Sequence, residues 1–397
     1  MKRVYLDHNA TTPIHPDVKA AMVAAMEVFG NASSHHSFGR EAHELIENAR
    51  KTVADALGAE PEEIIFTSCG SESNNLVIKG VTCGNSICKI GSEKSEVIIS
   101  AIEHPSVLNT AKCLQGEGKT VHLCPVDEKG VVKLDVLESL LSSRTALVSI
   151  MYANNETGAI QPIEEIAKMV AGKGIIFHTD AVQAFGKIPI NVKELNLDFL
   201  SLSGHKIYGP KGVGALYKRK TRKVCPLIHG GHHEFNLRAG TENTVHIAGL
   251  GKAVELSLRD MDSEWQRLAE LRNWFEGEVM RRVPESVVNG GDVSRTAHTS
   301  NISFRYIEGE SILYDLDFDG IAVSTGSACS SGSLEPSHVL LAMGMDHGRA
   351  HSSIRFSLGR STTKEDLAYT VDALERTVTR LRNMSPLWRD KLRQESV

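Results

Sequence analysis

Lys206 stands in the stretch SLSGHKIYGPKGVGALY, where an apolar run gives way to Ser-Gly-His-Lys and then to a glycine-rich turn. A lysine amine can form an imine with an aldehyde, and a site at a strand end desolvates the amine enough to keep part of it neutral. Ser203 and His205, just before it, offer short donors to an anionic group such as a phosphate. An isolated lysine is ordinarily a solvated loop residue, but this one has counterparts. FHTDAVQAFG puts Asp180 and Gln183 just beyond another apolar run, and SAIEHPSV does the same for His104. FTSCGSESNN supplies Gly70, Ser71 and Glu72 ahead of a helical pattern. A strand that runs into a helix start, with small residues between, presents free N–H groups and a positive dipole to a phosphate.

The elements that must position these residues follow from periodicity. From about residue 41 to 260, helical patterns alternate with short apolar runs, as expected of helices covering a mainly parallel sheet. In EAHELIENARKTVADALGAE, Ala42, Leu45, Ile46, Ala49, Val53 and Leu57 recur at three- and four-residue steps, and Gly58 serves as a stop. EIIFTS, EVIISAIEH, TALVSIMY, GIIFHTD, FLSLSGHK and GVGALYK read as strands. Ligands of open α/β sheets bind beyond the carboxyl ends of strands, which is where the polar residues sit. MDSEWQRLAELRNWFEGEVMRRV is predicted to be a helix opening a second unit, its aromatic residues sharing one face with leucine and valine. TSNISFRY, GIAVST and HSSIRFSLG read as strands there, and TKEDLAYTVDALERTVTRLRNM as the closing helix. The predicted fold class is α/β, a large domain over residues 15–258 with a smaller α+β domain built from residues 1–14 and 259–397.

A lysine for the imine, a phosphate cup, a carboxylate beside a ring nitrogen and a flat group to stack on the ring are the needs of pyridoxal 5'-phosphate. Asp180 is the carboxylate: keeping the ring nitrogen protonated makes the ring an electron sink. At this point the chain also resembles the cysteine desulfurases of the NifS/IscS type, in the class V aminotransferase group. The likeness runs through YLDHNATTP, GNASSHHSFGR, FTSCGSESNN, NNETGAIQPI, HTDAVQ, SGHKIYGPKG, RAGTENT, GSACSSGSLEPSHVL and SIRFSLGR.

The resemblance implies an aminotransferase-like fold of type I and a pyridoxal-phosphate enzyme that takes sulfur from L-cysteine. It implies that Lys206 holds the cofactor, while Ser203, His205 and the backbone around Gly70, Ser71 and Glu72 hold its phosphate. Asp180 pairs with the ring nitrogen, Gln183 and Asn155 bond the phenolic-oxygen side, and His104 stacks on the ring. Arg355 binds the substrate carboxylate, with Asn155 beside it, and a planar guanidinium suits a bidentate grip. Thr241 reaches the phosphate of a partner subunit, so a homodimer is implied, with an iron–sulfur scaffold protein of the NifU/IscU kind as sulfur acceptor. Cys329, set in a glycine- and serine-rich run, accepts sulfur as a persulfide; Gly326, Ser327, Ser330, Ser331 and Gly332 give its backbone freedom. His8 stands where asparagine is common in this family, and Cys69 reads as a packed thiol.

Three rival readings are weaker. HGGHHEFN, with His229, His232, His233 and Glu234, lacks the helical His-Glu-x-x-His spacing of a metallohydrolase, so no metal is expected. A selenocysteine lyase or another class V lyase or aminotransferase keeps the cofactor, but a transaminase has no use for a thiol such as Cys329. A sulfur-relay protein would not need Lys206, Asp180, His104 and Arg355.

Composition agrees with an ordinary globular enzyme of 397 residues, 41% hydrophobic and 23% charged. A net charge of -5, from 44 basic and 49 acidic residues without a basic block, argues against nucleic acid as partner. MKRVYLDHNATTP has no apolar core of a signal peptide and no run is long enough to span a bilayer, so a cytoplasmic location is expected. The seven cysteines, odd in number and irregularly spaced, are expected to be reduced thiols.

Overall fold

The computed structural model describes residues 2–83, 94–325 and 335–395. Twelve strands are present among these residues: β1 (Val4–Tyr5), β2 (Ile64–Thr67), β3 (Glu96–Ser100), β4 (Thr120–Cys124), β5 (Thr145–Ser149), β6 (Ile176–Asp180), β7 (Phe199–Ser203), β8 (Gly214–Lys218), β9 (Ser286–Val288), β10 (Thr299–Phe304), β11 (Ile321–Ala322) and β12 (Ser353–Ser357).

β2 to β8 form one seven-stranded sheet in the order β2-β8-β7-β6-β5-β3-β4. The pairs joining β3 to β7 are all parallel, and β8 alone is reversed, antiparallel to both β2 and β7. The carboxyl ends of β2, β3, β5, β6 and β7 therefore share one edge. β3, β5 and β7 are buried at every residue, which is why they read as unbroken apolar runs. β4, the edge strand after β3, was not predicted. Of its five residues only Cys124 is buried, so it lacks that signature.

Helix Ser37–Leu57 covers one face, burying Ala42, Ile46, Ala49, Val53 and Leu57, with Leu45 only partly covered. The His36 side chain accepts from the Gly39 amide at its start, and Gly58 ends it at φ 67°, a left-handed conformation that suits glycine.

A second core forms around Phe275, Ile302, Phe304, Phe356, Val371 and Leu374, under the antiparallel sheet β12-β10-β9. Phe275 and Phe356 meet edge to face at 5.0 Å. The helix leading into this core spans Thr244–Arg282, beginning well before the Met261 start predicted from the aromatic stripe. Its first half sets Gly249 and Gly251 close to Met22 and Ala49 and buries Ile247, Leu250, Val254 and Leu256 beside them. Asn243 caps it by accepting from the His246 amide.

The N-terminal segment belongs to the second core. β1 pairs in parallel with β11, and Val4 and Leu6 are buried there. No helix among the described residues is long and apolar enough to cross a membrane. Cys225 is disulfide-bonded, which corrects the expectation of reduced thiols, while Cys69, Cys83, Cys113 and Cys124 are free. Spacing along the chain does not reveal which thiols the fold brings together. Leu6, fully buried, is the link between this core and the segment that follows it. Leu6→Ala is expected to destabilise the protein by about 2–5 kcal/mol, read from the shift of the denaturant midpoint.

Candidate functional site

The residues singled out in the sequence meet at the carboxyl edge of the large sheet. After β7 the chain makes a short turn, Gly204–Lys206, that brings Lys206 across the edge. Its Nζ donates to the main-chain carbonyls of Asn9 at 2.6 Å and Ala10 at 2.7 Å. These carbonyls come from the N-terminal segment, which is locked in place from several sides. Asn9 donates from its side chain to Thr299 Oγ1 at 2.9 Å and to the Asn155 carbonyl at 3.1 Å. Thr12 donates from its amide and its hydroxyl to the His205 carbonyl. Gln183 Nε2 donates to the same Asn9 carbonyl at 3.0 Å.

Asp180, last residue of β6, is 5% exposed. Its Oδ1 accepts from the Val182 amide at 2.9 Å and its Oδ2 from Asn74 Nδ2 at 2.7 Å. Asn74 also donates to Ser106 Oγ at 2.9 Å, and Ser106 bonds His104 Nδ1 through its hydroxyl at 2.8 Å and its amide at 3.1 Å. An amide can only donate, so Nδ1 of His104 is the acceptor and the neutral ring carries its proton on Nε2. Burial lowers the His104 pKa; the Asp180 charge opposes that and Lys206 adds to it.

Helix Gly70–Val81 starts directly after the β2 end. Its first amides have no intrahelical acceptor. A Cβ on Gly70 would come within 2.6 Å of Val182 Cγ2 and 3.7 Å of Ser203 Cβ, so this helix start abuts both the Asp180 turn and the β7 end. Glu72 accepts from the Ser68 amide at 2.8 Å and from Arg238 Nε at 3.0 Å, which holds the turn. Ser203 Oγ is buried with no hydrogen-bond partner. Orphaned buried hydroxyls are uncommon, and this one sits beside the unpaired amides of a helix start. His205 bonds Thr11 Oγ1 at 3.1 Å through Nδ1, and burial, reinforced by Lys206, lowers its pKa to about 4. The donors, the carboxylate and the lysine fit pyridoxal phosphate in number and kind.

Arg355 on β12 reaches into the same edge from the second core. Its Nη2 pairs with Asp7 Oδ1 at 2.8 Å, its Nη1 donates to the Asn155 carbonyl at 3.1 Å, and its buried Nε has no partner. Its main chain pairs with Ser324, so the stem leading to Cys329 is tied to the guanidinium's own strand. Downstream, Ser337 bonds the buried carboxyl of Glu156, and His338 Nε2 lies 3.0 Å from the Glu103 carbonyl. Cys329 itself lies outside the described residues.

Thr241, expected to serve a partner subunit, and Asn155, expected to bond the cofactor, make no side-chain hydrogen bond among the described residues. Thr241 is exposed in the turn before the long helix, and Asn155 joins the site through its carbonyl. Sequence reasoning missed Asp7, Asn9, Ala10 and Asn74. The first three stand in the YLDHNATTP motif just past a two-residue strand too short to register. Asn74 lies one turn into a helix, at the step from Gly70 that faces back to the helix start.

HGGHHEFN is structural. Glu234 accepts from both Arg50 terminal nitrogens, at 2.8 and 2.9 Å, and from the Phe66 amide, which removes the base a hydrolase would need. No cluster of three or more metal-ligating side chains occurs among the described residues. In a pH titration by NMR, the His104 ring should change protonation below pH 6.5. A midpoint at or above that value would contradict the buried, Nε2-protonated assignment.

The chain matches the aminotransferase class-V family model over residues 4–370. It is 53% identical over 388 residues to the cysteine desulfurase IscS of Dictyoglomus turgidum, covering 97% of both chains. It is 47% identical over 392 residues to a cysteine desulfurase of Nostoc sp., covering 98% of this chain and 96% of that one. Among solved structures, a NifS-like protein superposes with a TM-score of 0.89 at 39% identity, covering 96% of this chain and 100% of that chain. A structure described as SspA in complex with cysteine gives a TM-score of 0.79 at 38% identity, covering 89% and 98%. With the lysine, carboxylate and helix start already in place at one sheet edge, the chain belongs to the class-V aminotransferase family, among its NifS/IscS-type cysteine desulfurases.

Proposed function

We propose that this protein is a pyridoxal-phosphate cysteine desulfurase, which converts L-cysteine to L-alanine and takes the sulfur onto Cys329 as a persulfide. The observation that carries the reading is the convergence of Lys206, Asp180 and the orphaned Ser203 hydroxyl at the start of helix Gly70–Val81, with Arg355 facing them. Lys206 would hold the cofactor, and Ser203, His205 and the amides of Gly70, Ser71 and Glu72 its phosphate. Asp180 would face the ring nitrogen, Gln183 and Asn155 the phenolic side, and His104 the ring. When bound, the cofactor supplies an electron sink that acidifies the substrate α-carbon.

The remaining work falls to the chain. Arg355 exchanges part of its pairing with Asp7 for the substrate carboxylate, to which its unpartnered Nε is also available. Lys206 Nζ, already oriented by two carbonyls, carries protons to and from the α-carbon. The Cys329 thiolate attacks the substrate sulfur, the C–S bond breaks with its electron pair left on carbon, and protonation of that carbon yields alanine. A thiol reductant or an acceptor protein then takes the outer sulfur. We assign a scaffold protein for iron–sulfur clusters as the acceptor, a homodimer in which Thr241 serves the partner's phosphate site, and a cytoplasmic location. We further assign residues 15–258 to the large domain, and 1–14 with 259–397 to the small one, because two separate cores form, although Val339, Leu340, Met343 and Ala350 pack in the large one.

Purified protein given L-cysteine and a thiol reductant should form alanine, and Cys329→Ser should form none while still binding cofactor and substrate. Alanine formation at the wild-type rate by Cys329→Ser would overturn the mechanism. Arg355→Lys loses the planar fork and should raise KM for L-cysteine by roughly 10- to 100-fold, with a smaller change in kcat.

A further inference from the structure

A cavity of about 60 Å³ is lined by Lys187 together with Lys206, and by residues of both cores such as Ile207 and Leu268. Gln183 and Lys187 lie four residues apart on the turn after β6, and Lys187 Nζ donates to Gln183 Oε1 at 3.2 Å. Gln183 Nε2 donates to the Asn9 carbonyl, and that carbonyl also receives Lys206 Nζ at 2.6 Å. The two lysines thus share one carbonyl, one directly and one through Gln183. The intervening turn is fixed at Gly186, φ 72°, where a Cβ would lie 2.9 Å from Ile207 Cγ2, the residue after Lys206.

No acid neutralises Lys187 among the described residues. Asp260, on the cavity wall, is paired with Arg259 and Arg360, and Glu264 with Arg267. Tyr208, also on the wall, accepts from the Arg360 amide, and burial pushes its phenol up to about 12. His8 and His298 close the far side, each with a buried Nε2 that has no partner. Burial keeps both rings uncharged, lowering His8 to about 4 and His298 well below its ordinary value. Lys187 is itself pushed down to about 7 by burial, with Lys206 adding to the effect. Lys187 has no part in the chemistry proposed above.

We infer that Lys187 is a positioning residue for the Lys206 proton transfers, its amine acting through Gln183 and the Asn9 carbonyl to make Lys206 Nζ release its proton more readily by like-charge repulsion. This rests on the reading of Lys206 as the cofactor lysine. While it holds its proton, below about pH 7, Lys187 disfavours a second positive charge at Lys206 without touching substrate. Two such amines titrate as a pair, so the effect belongs to the charge they share.

The test is a pH titration, in the holoenzyme, of the visible absorbance that the cofactor shows when attached at Lys206. Lys187→Met removes the charge at similar volume and should move the midpoint to higher pH by about one unit, with cofactor content unchanged. The acid limb of kcat/KM should move with it, and Lys187→Arg, which keeps the charge, should stay near the wild type. A merely structural lysine would lose cofactor or stability without moving the midpoint. If Lys187→Met fails to hold cofactor, Lys187→Gln gives the same reading. An unmoved midpoint in a variant with full cofactor overturns the inference. A visible band that survives Lys206→Ala overturns instead the assignment of Lys206 as the cofactor lysine.

Discussion

The site depends on two main-chain carbonyls. Those of Asn9 and Ala10 hold Lys206 Nζ, and they can do so only because the segment from Asp7 to Thr12 is drawn across the edge of a sheet to which it does not belong. Val4 and Leu6 anchor its start in the second core, and Asn9 is bonded to Ser357, Thr299 and Asn155. Thr12 ties its end to His205, the residue beside the lysine. Lys206, at the edge of one core's sheet, is thereby oriented by the N-terminal segment anchored in the other. Small shifts between the two cores would be felt first at Nζ.

Charge in the site is set mostly by what is kept out of water. His104 and His205 are held neutral by burial, while Arg355 is ion-paired with Asp7 and Lys206 Nζ is held by the Asn9 and Ala10 carbonyls. Arg355 is almost fully buried, an arrangement tolerable for a guanidinium because Asp7 and the Asn155 carbonyl take two of its donors. Glu156 and Glu103 are pushed up to about 7 and about 8 by the same desolvation. The Ser337 hydroxyl donates to the Glu156 carboxyl, so the segment after Cys329 is anchored next to Asn155. On either side of Cys329, Ser324 pairs with Arg355 and Ser337 bonds Glu156.

Much of this arrangement was legible in the sequence because the large sheet writes it plainly. Five of its strands are apolar runs that stop at a polar residue, and in an open α/β sheet that stop is where ligands bind, so Asp180, Ser203 and Lys206 could be placed by type and position. The N-terminal clamp was not legible. β1 has two residues, and the function of Asn9 and Ala10 lies in carbonyl oxygens that every residue possesses. β4 escaped because an exposed edge strand has no continuous apolar signature. The long helix was begun too late because the aromatic stripe marks only its second half, while its first half buries Ile247, Leu250, Val254 and Leu256 among small residues. Asn74 was hidden for another reason: its importance is in bridging Asp180 to Ser106, a relation that exists only once the helix start and the β6 end are side by side.

The central claim, that the fold selects Lys206 among all the lysines of the chain by clamping it at the sheet edge, is tested most directly by trapping. Holoenzyme reduced with borohydride and digested should yield a single cofactor-bearing peptide containing Lys206. Label on Lys187 or on any other lysine, with Lys206 unmodified, would contradict the account.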